Sequence, residues 1–131
     1  MPVGLIPAAL GGSPLSAWTR DVDGVLFDNM LRYAEDAGCL PTKDRRGGSV
    51  RGVVWYQGES DASAEGLTVY GRRFKKFVAD LRRSFGDAQL PVITTQLNRW
   101  VGQPAPESDW EGMRELQRQL AASRSEEHTS E

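Results

Sequence analysis

VRGVVWYQGESDA, residues 50–62, sets an apolar run directly before an amide, a glycine, a carboxylate, a hydroxyl and a second carboxylate. Residues 50–56 are rich in β-branched and aromatic side chains and read as a strand. In a parallel α/β sheet, ligands gather beyond the carboxyl ends of the strands, and that is where QGESD falls. A polar turn in which Ser60 or Asp61 caps the next helix fits the same residues. The two readings are compatible.

Outward from this stretch the chain alternates short apolar runs with longer amphipathic ones. Downstream, Tyr70, Phe74, Phe77, Val78, Leu81 and Phe85 recur at helical spacing, while Arg72, Arg73, Lys76, Asp80 and Arg83 fall largely on the other side. The run RRFKK, residues 72–76, is therefore a solvated helix face. PVITTQL, residues 91–97, predicts a further strand, and residues 109–122 a helix with Met113, Leu116 and Leu120 on its apolar side. Upstream, residues 3–10 predict a first strand whose end Pro7 marks, because proline cannot donate to a ladder. GGSP, residues 11–14, is a turn, and residues 25–37 predict a helix with Leu26, Met30, Tyr33, Ala34 and Ala37 on one face and Gly38 ending it. TKDRRGG, residues 42–48, is a surface loop and the point most open to proteolysis. Strand and helix alternating three times predict a parallel sheet with right-handed crossovers.

Composition narrows the functions available. At 131 residues the chain fits one domain, which at that size buries roughly two-thirds of the surface its unfolded chain exposes. Sixteen Lys and Arg against eighteen Asp and Glu leave a net charge of −2 with no large basic block, which speaks against nucleic acid as a partner. No apolar run approaches the roughly 18 residues needed to span a bilayer, so no membrane partner is expected. The lone cysteine, Cys39, can form neither an internal disulfide nor a thiolate metal cluster, and no metal site is expected.

Two loops carry the chemistry. Gly11 and Gly12 let backbone N–H groups approach a ligand closely, or simply make a tight turn. Gln57 offers two side-chain hydrogens suited to an oxyanion formed in acyl transfer, and Glu59 a carboxylate to orient a neighbour or the loop backbone. Gly58-Glu59-Ser60-Asp61-Ala62 approximates a G-x-S-x-G elbow with alanine in the last place, which would make Ser60 a nucleophile. Trp18, Trp100 and Trp110 offer surfaces for sugar stacking or, more simply, core packing, as does Trp55 at the strand end.

PVGLIPAALGGSPLSAW (residues 2–18) together with RGVVWYQGESDA (residues 51–62) resembles the carbohydrate-esterase branch of the SGNH hydrolases, the sialate O-acetylesterase type. The likeness continues through YGRRFKKFVADLRRSFG (residues 70–86) and LPVITTQL (residues 90–97). It implies an α/β three-layer sandwich with a parallel sheet, SGNH hydrolase-like and flavodoxin-like, here incomplete at both ends. It also implies serine-type hydrolysis of acetyl esters on sugars such as sialic acid or xylan, without metal or organic cofactor and with an acetylated carbohydrate as partner. Family members often act outside the cytoplasm. By this resemblance Gly12 supplies a backbone oxyanion donor and Gln57 a side-chain donor. Glu59 supports them, and Gly11 and Ser13 contact substrate.

The family's nucleophilic serine lies in a G-Q-S-N type block and its His and Asp in a D-x-x-H block, and neither is visible here. On this reading Ser60 belongs to the oxyanion-side loop. The single histidine, His128, lies in SRSEEHTSE, where Ser125 stands at the aspartate position. That polar stretch is similar to a translated sequencing adapter, so the expectation is a partial domain over residues 1–122 and a non-native or disordered tail over 123–131. A fragment that contributes only the oxyanion side is expected to be inactive alone. A noncatalytic carbohydrate-binding remnant, or a self-sufficient α/β hydrolase using Ser60, remain the alternatives.

Overall fold

In a computed structural model of the chain, residues 2–42 and 47–129 are described, with side chains as far as 122. Most of the loop expected over 42–48 lies outside the described residues, as do all side chains of the expected tail, His128 included.

The sheet is parallel and has two strands, β1 (Val53–Trp55) and β2 (Val92–Thr94), in the register Val53 to Val92, Val54 to Ile93 and Trp55 to Thr94. They are joined through α2 (Ala64–Ser84), so the chain has the α/β character that the alternating pattern predicts. Two further helices complete it, α1 (Val25–Asp36) and α3 (Glu107–Thr129). Short 3-10 turns lie at Leu15–Trp18 and Glu59–Asp61. Among the described residues no helix is long and apolar enough to cross a membrane.

The expected strand over residues 3–10 does not form. Strand geometry is held by a neighbour's ladder bonds, and neither β1 nor β2 pairs with this segment. Val3 and Leu5 stand 87% and 90% exposed, so apolar composition without a partner leaves the segment irregular. One face of the small sheet is likewise uncovered: Val54 and Ile93, opposite each other in the register, are both exposed.

α2 starts earlier than its apolar spacing suggests, because Ser63 caps it by accepting a hydrogen bond from the Gly66 amide at 2.9 Å. The cap is thus neither Ser60 nor Asp61, and both of those side chains are used elsewhere. Arg82 and Arg83 in its last turn lie where the negative end of the helix dipole favours cations. Its buried face holds Tyr70, Phe74, Phe77, Val78 and Leu81, as the periodicity picks out. It also holds Asp80, expected on the solvated side and instead buried, with Lys76 at 2.7 Å and Arg83 at 3.1 Å from its Oδ1. Phe77, fully buried, is the hub of the core, with ring centroids 4.5 Å from Trp55, 6.0 Å from Phe27, 6.3 Å from Phe74 and 6.4 Å from Trp18.

The face of α1 was only partly legible. Phe27 and Ala34 are its buried residues, whereas Tyr33 is half exposed and Ala37 lies beyond the last turn. Phe27 turns inward because the Phe77 hub lies on that side. Trp18, Trp55 and Trp110 are core residues, which removes them as open stacking platforms. Trp100 is half-buried and donates from Nε1 to the Ala105 carbonyl. Cys39 sits in the turn after α1, with Sγ 3.6 Å from the Ala37 carbonyl.

Candidate active site

The GGSP turn and the QGESD loop are joined by hydrogen bonds that span 44 and 48 residues of sequence. Gln57 follows the carboxyl end of β1 and is buried at 6% exposure. Its side-chain Nε2 donates to Asp61 Oδ2 at 2.6 Å and to the Ser13 carbonyl at 3.2 Å. Its Oε1 accepts from the Tyr70 hydroxyl at 3.0 Å. Burial pushes the Tyr70 phenol up to about 12, so at ordinary pH it keeps the proton it donates.

Asp61 is the member that the sequence did not single out for this role. It is buried, and the same Oδ2 that holds Gln57 also accepts the Leu15 amide at 2.9 Å. One oxygen thereby ties the 3-10 turn behind the glycine pair to the strand-end loop. Ser60 adds a latch at the rim, its hydroxyl donating to the Gly12 carbonyl at 2.8 Å. Ser13 Oγ donates to the Leu10 carbonyl and accepts from Trp18 Nε1, which fixes the far side of the turn to the core.

The third support comes from α3. Gln117 Nε2 donates to the Gln57 carbonyl at 2.7 Å, and its Oε1 accepts the Leu97 amide at 2.9 Å. A single side chain therefore joins the segments that follow β1 and β2. Its close approach depends on Gly58, whose φ is +136° and whose missing Cβ would lie 2.6 Å from Gln117 Nε2 and 3.3 Å from Met113. A side chain at this position meets both unfavourable backbone geometry and an occupied space.

Of the residues expected at the site, Gly11, Gly12 and Ser13 on one loop and Gln57 on the other are brought together. Gly12 is exposed with φ of +76°, and neither Gly11 nor Gly12 has any atom within 4 Å of where a Cβ would stand. The backbone there is open to an approaching ligand. Glu59 is exposed in the first position of its 3-10 turn, and the carboxylate that orients Gln57 is Asp61. Both hydrogens of the Gln57 amide have protein acceptors, the longer bond being the one to Ser13. Among the described residues there is no group of three or more His, Cys, Asp or Glu side chains placed to hold a metal ion.

Asp61 and Gln117 are the two members missed from sequence. Asp61 was visible as the second carboxylate of QGESD, but its partner Leu15 lies 46 residues away. Gln117 looked like any polar residue on an amphipathic helix.

The chain is 30% identical over 92 residues to a probable carbohydrate esterase of Arabidopsis thaliana, an alignment covering 70% of this chain and 32% of that protein. The 1.6 Å X-ray structure of an Arabidopsis thaliana protein with the same locus designation superposes with a TM-score of 0.68 at 26% identity, over 87% of this chain and 42% of the other. The chain thus spans about a third of the length of the curated relative it matches. A family model described as carbohydrate esterase, sialic acid-specific acetylesterase, matches residues 1–128, and the chain belongs to that carbohydrate esterase family.

Proposed function

We propose that the two joined loops form the oxyanion side of a site that hydrolyses acetyl esters on carbohydrates, with the attacking serine and its histidine–aspartate pair supplied by residues other than those described. The observation that carries this reading is the open Gly12 backbone held against the Gln57 loop at the carboxyl end of β1. When a hydroxyl attacks the acetyl carbonyl carbon, the carbonyl oxygen takes up negative charge, and donors already in place stabilise it without reorganisation. For Gln57 to donate to that oxygen, the longer of its two bonds, the one to the Ser13 carbonyl, must yield to it. Collapse of the adduct releases the sugar hydroxyl, protonated by the base, and water frees acetate from the acyl-enzyme. The acetylated sugar is the substrate class that membership of the family supports.

Ser60 acts in this account as a latch. Its hydroxyl is given to the Gly12 carbonyl and not to a base. Ser60→Ala, in a longer reading frame that hydrolyses 4-nitrophenyl acetate, is expected to lower the rate by less than about tenfold, the worth of one neutral hydrogen bond. Removal of a true nucleophile costs on the order of 10⁶-fold. A loss of that size would make Ser60 the nucleophile and overturn the assignment of these loops. The 131-residue chain alone is expected to show no turnover of the same ester.

A further inference from the structure

We propose that Asp61 and Tyr70 are positioning residues that lock the Gln57 amide in a single orientation, with its donor end turned toward the Gly11–Ser13 loop. This inference rests on the oxyanion role given to Gln57 above and adds the residues that make that role geometrically possible.

A glutamine amide has a donor end and an acceptor end of nearly equal size, so only its partners decide which way it points. Here the partners leave one solution. Asp61 Oδ2 lies 2.6 Å from Nε2, and a flipped amide would set two oxygens against each other at that distance. The Tyr70 hydroxyl, 3.0 Å from Oε1, donates to the other end. Both residues sit on firm supports: Asp61 is buried and anchored by the Leu15 amide, and Tyr70 is 2% exposed on the apolar face of α2, stacked on Phe74 at 6.1 Å. Gln117 fixes the backbone of the same residue from the opposite side through the Gln57 carbonyl. With backbone and both ends of the side chain held, the second hydrogen of Nε2 is directed to the Ser13 carbonyl, at the mouth of the glycine turn. Without Asp61 the 2.6 Å contact that opposes a flip is lost, and a flipped amide presents an oxygen, which repels an oxyanion.

The test is solvent exchange of the Gln57 side-chain Nε2 protons, followed by ¹⁵N NMR on the 131-residue chain. They are expected to exchange slowly as two separate resonances. Asp61→Ala should speed their exchange by about tenfold or more, the equivalent of one hydrogen bond, while the backbone amide of Leu81 in α2 is unaffected. Asp61→Asn, which keeps one carbonyl acceptor, should restore part of the protection. Tyr70→Phe keeps the ring and removes only the donor to Oε1, so it reports even if Asp61→Ala does not fold, and it too should speed the exchange. Unchanged Gln57 protons in a folded Asp61→Ala or Tyr70→Phe protein would overturn the proposal. Protected protons together with an inert Gln57→Ala substitution in an active form would overturn the acyl-transfer reading instead, leaving the lock in place.

Discussion

Phe77→Ala is expected to abolish the cooperative unfolding transition of the chain. The ring is fully buried and touches the aromatic side chains of four separate segments: Trp18 of the first 3-10 turn, Phe27 of α1, Trp55 of β1 and Phe74 of its own helix. Truncating a core phenylalanine costs about 3–5 kcal/mol, from lost burial and from the cavity left behind. A domain of this size has a total stability of about 5–15 kcal/mol. The loss also reaches the site, because Trp18 holds Ser13 and Trp55 directly precedes the loop of Gln57. Circular dichroism followed through a urea titration reads the effect, and a midpoint equal to that of the unsubstituted chain would show that the hub does not lie at Phe77.

Gln57→Ala should cost at least about 100-fold in kcat in a form able to turn over an acetylated sugar, the usual consequence of removing one oxyanion donor. The same substitution strands three partners at once: Asp61 keeps only the Leu15 amide, the Ser13 carbonyl loses its donor and the buried Tyr70 hydroxyl loses its acceptor. Each buried group left unsatisfied costs about 1–3 kcal/mol. The rate must therefore be measured where the variant is still folded. Gln57→Glu separates the two effects: it nearly preserves shape but replaces the donor by a second carboxylate facing Asp61, and it should be at least as damaging as alanine. A Gln57→Glu protein with normal kcat would show that no donor is needed at this position.

What could be read from the sequence and what could not divides by distance along the chain. The buried face of α2 was legible because its periodicity is a local property, and Phe77 stands in the middle of it. Gly12 and Gln57 were legible as loop residues because each follows an apolar run and carries chemistry that a plain turn does not need. Residues 3–10 misled because apolar composition is only half of what makes a strand, the other half being a neighbour with free ladder groups. Phe27 is not legible as a core residue because an isolated helix does not reveal which way its stripe faces until Phe77 is placed beside it. Asp61 fits a capping role in the local sequence for the same reason. Its true partner, the Leu15 amide, is 46 residues away, and the local rule for an acidic residue before a helix fitted equally well. The capping role fell to Ser63, two positions further on.

Three supports of the site come from such distant pairs. Asp61 to Leu15, Ser60 to Gly12 and Gln117 to Gln57 each cross between elements, and together they give two short loops a fixed relation that neither sequence segment encodes alone. Under the proposed acyl-transfer role, preorganisation of this kind would let a backbone amide and a side-chain amide act as one donor set, since donors that must first be gathered lose much of their advantage.

Titration of the ¹⁵N-labelled chain with acetate, whose carboxylate resembles the charged oxygen of the adduct, tests this relation most directly. The backbone amide of Gly12 and the side-chain amide of Gln57 should shift together along one saturation curve, while the amides of α1 stay still. Shifts confined to one of the two, or found on neither, would contradict the convergence of the two loops on a single oxygen.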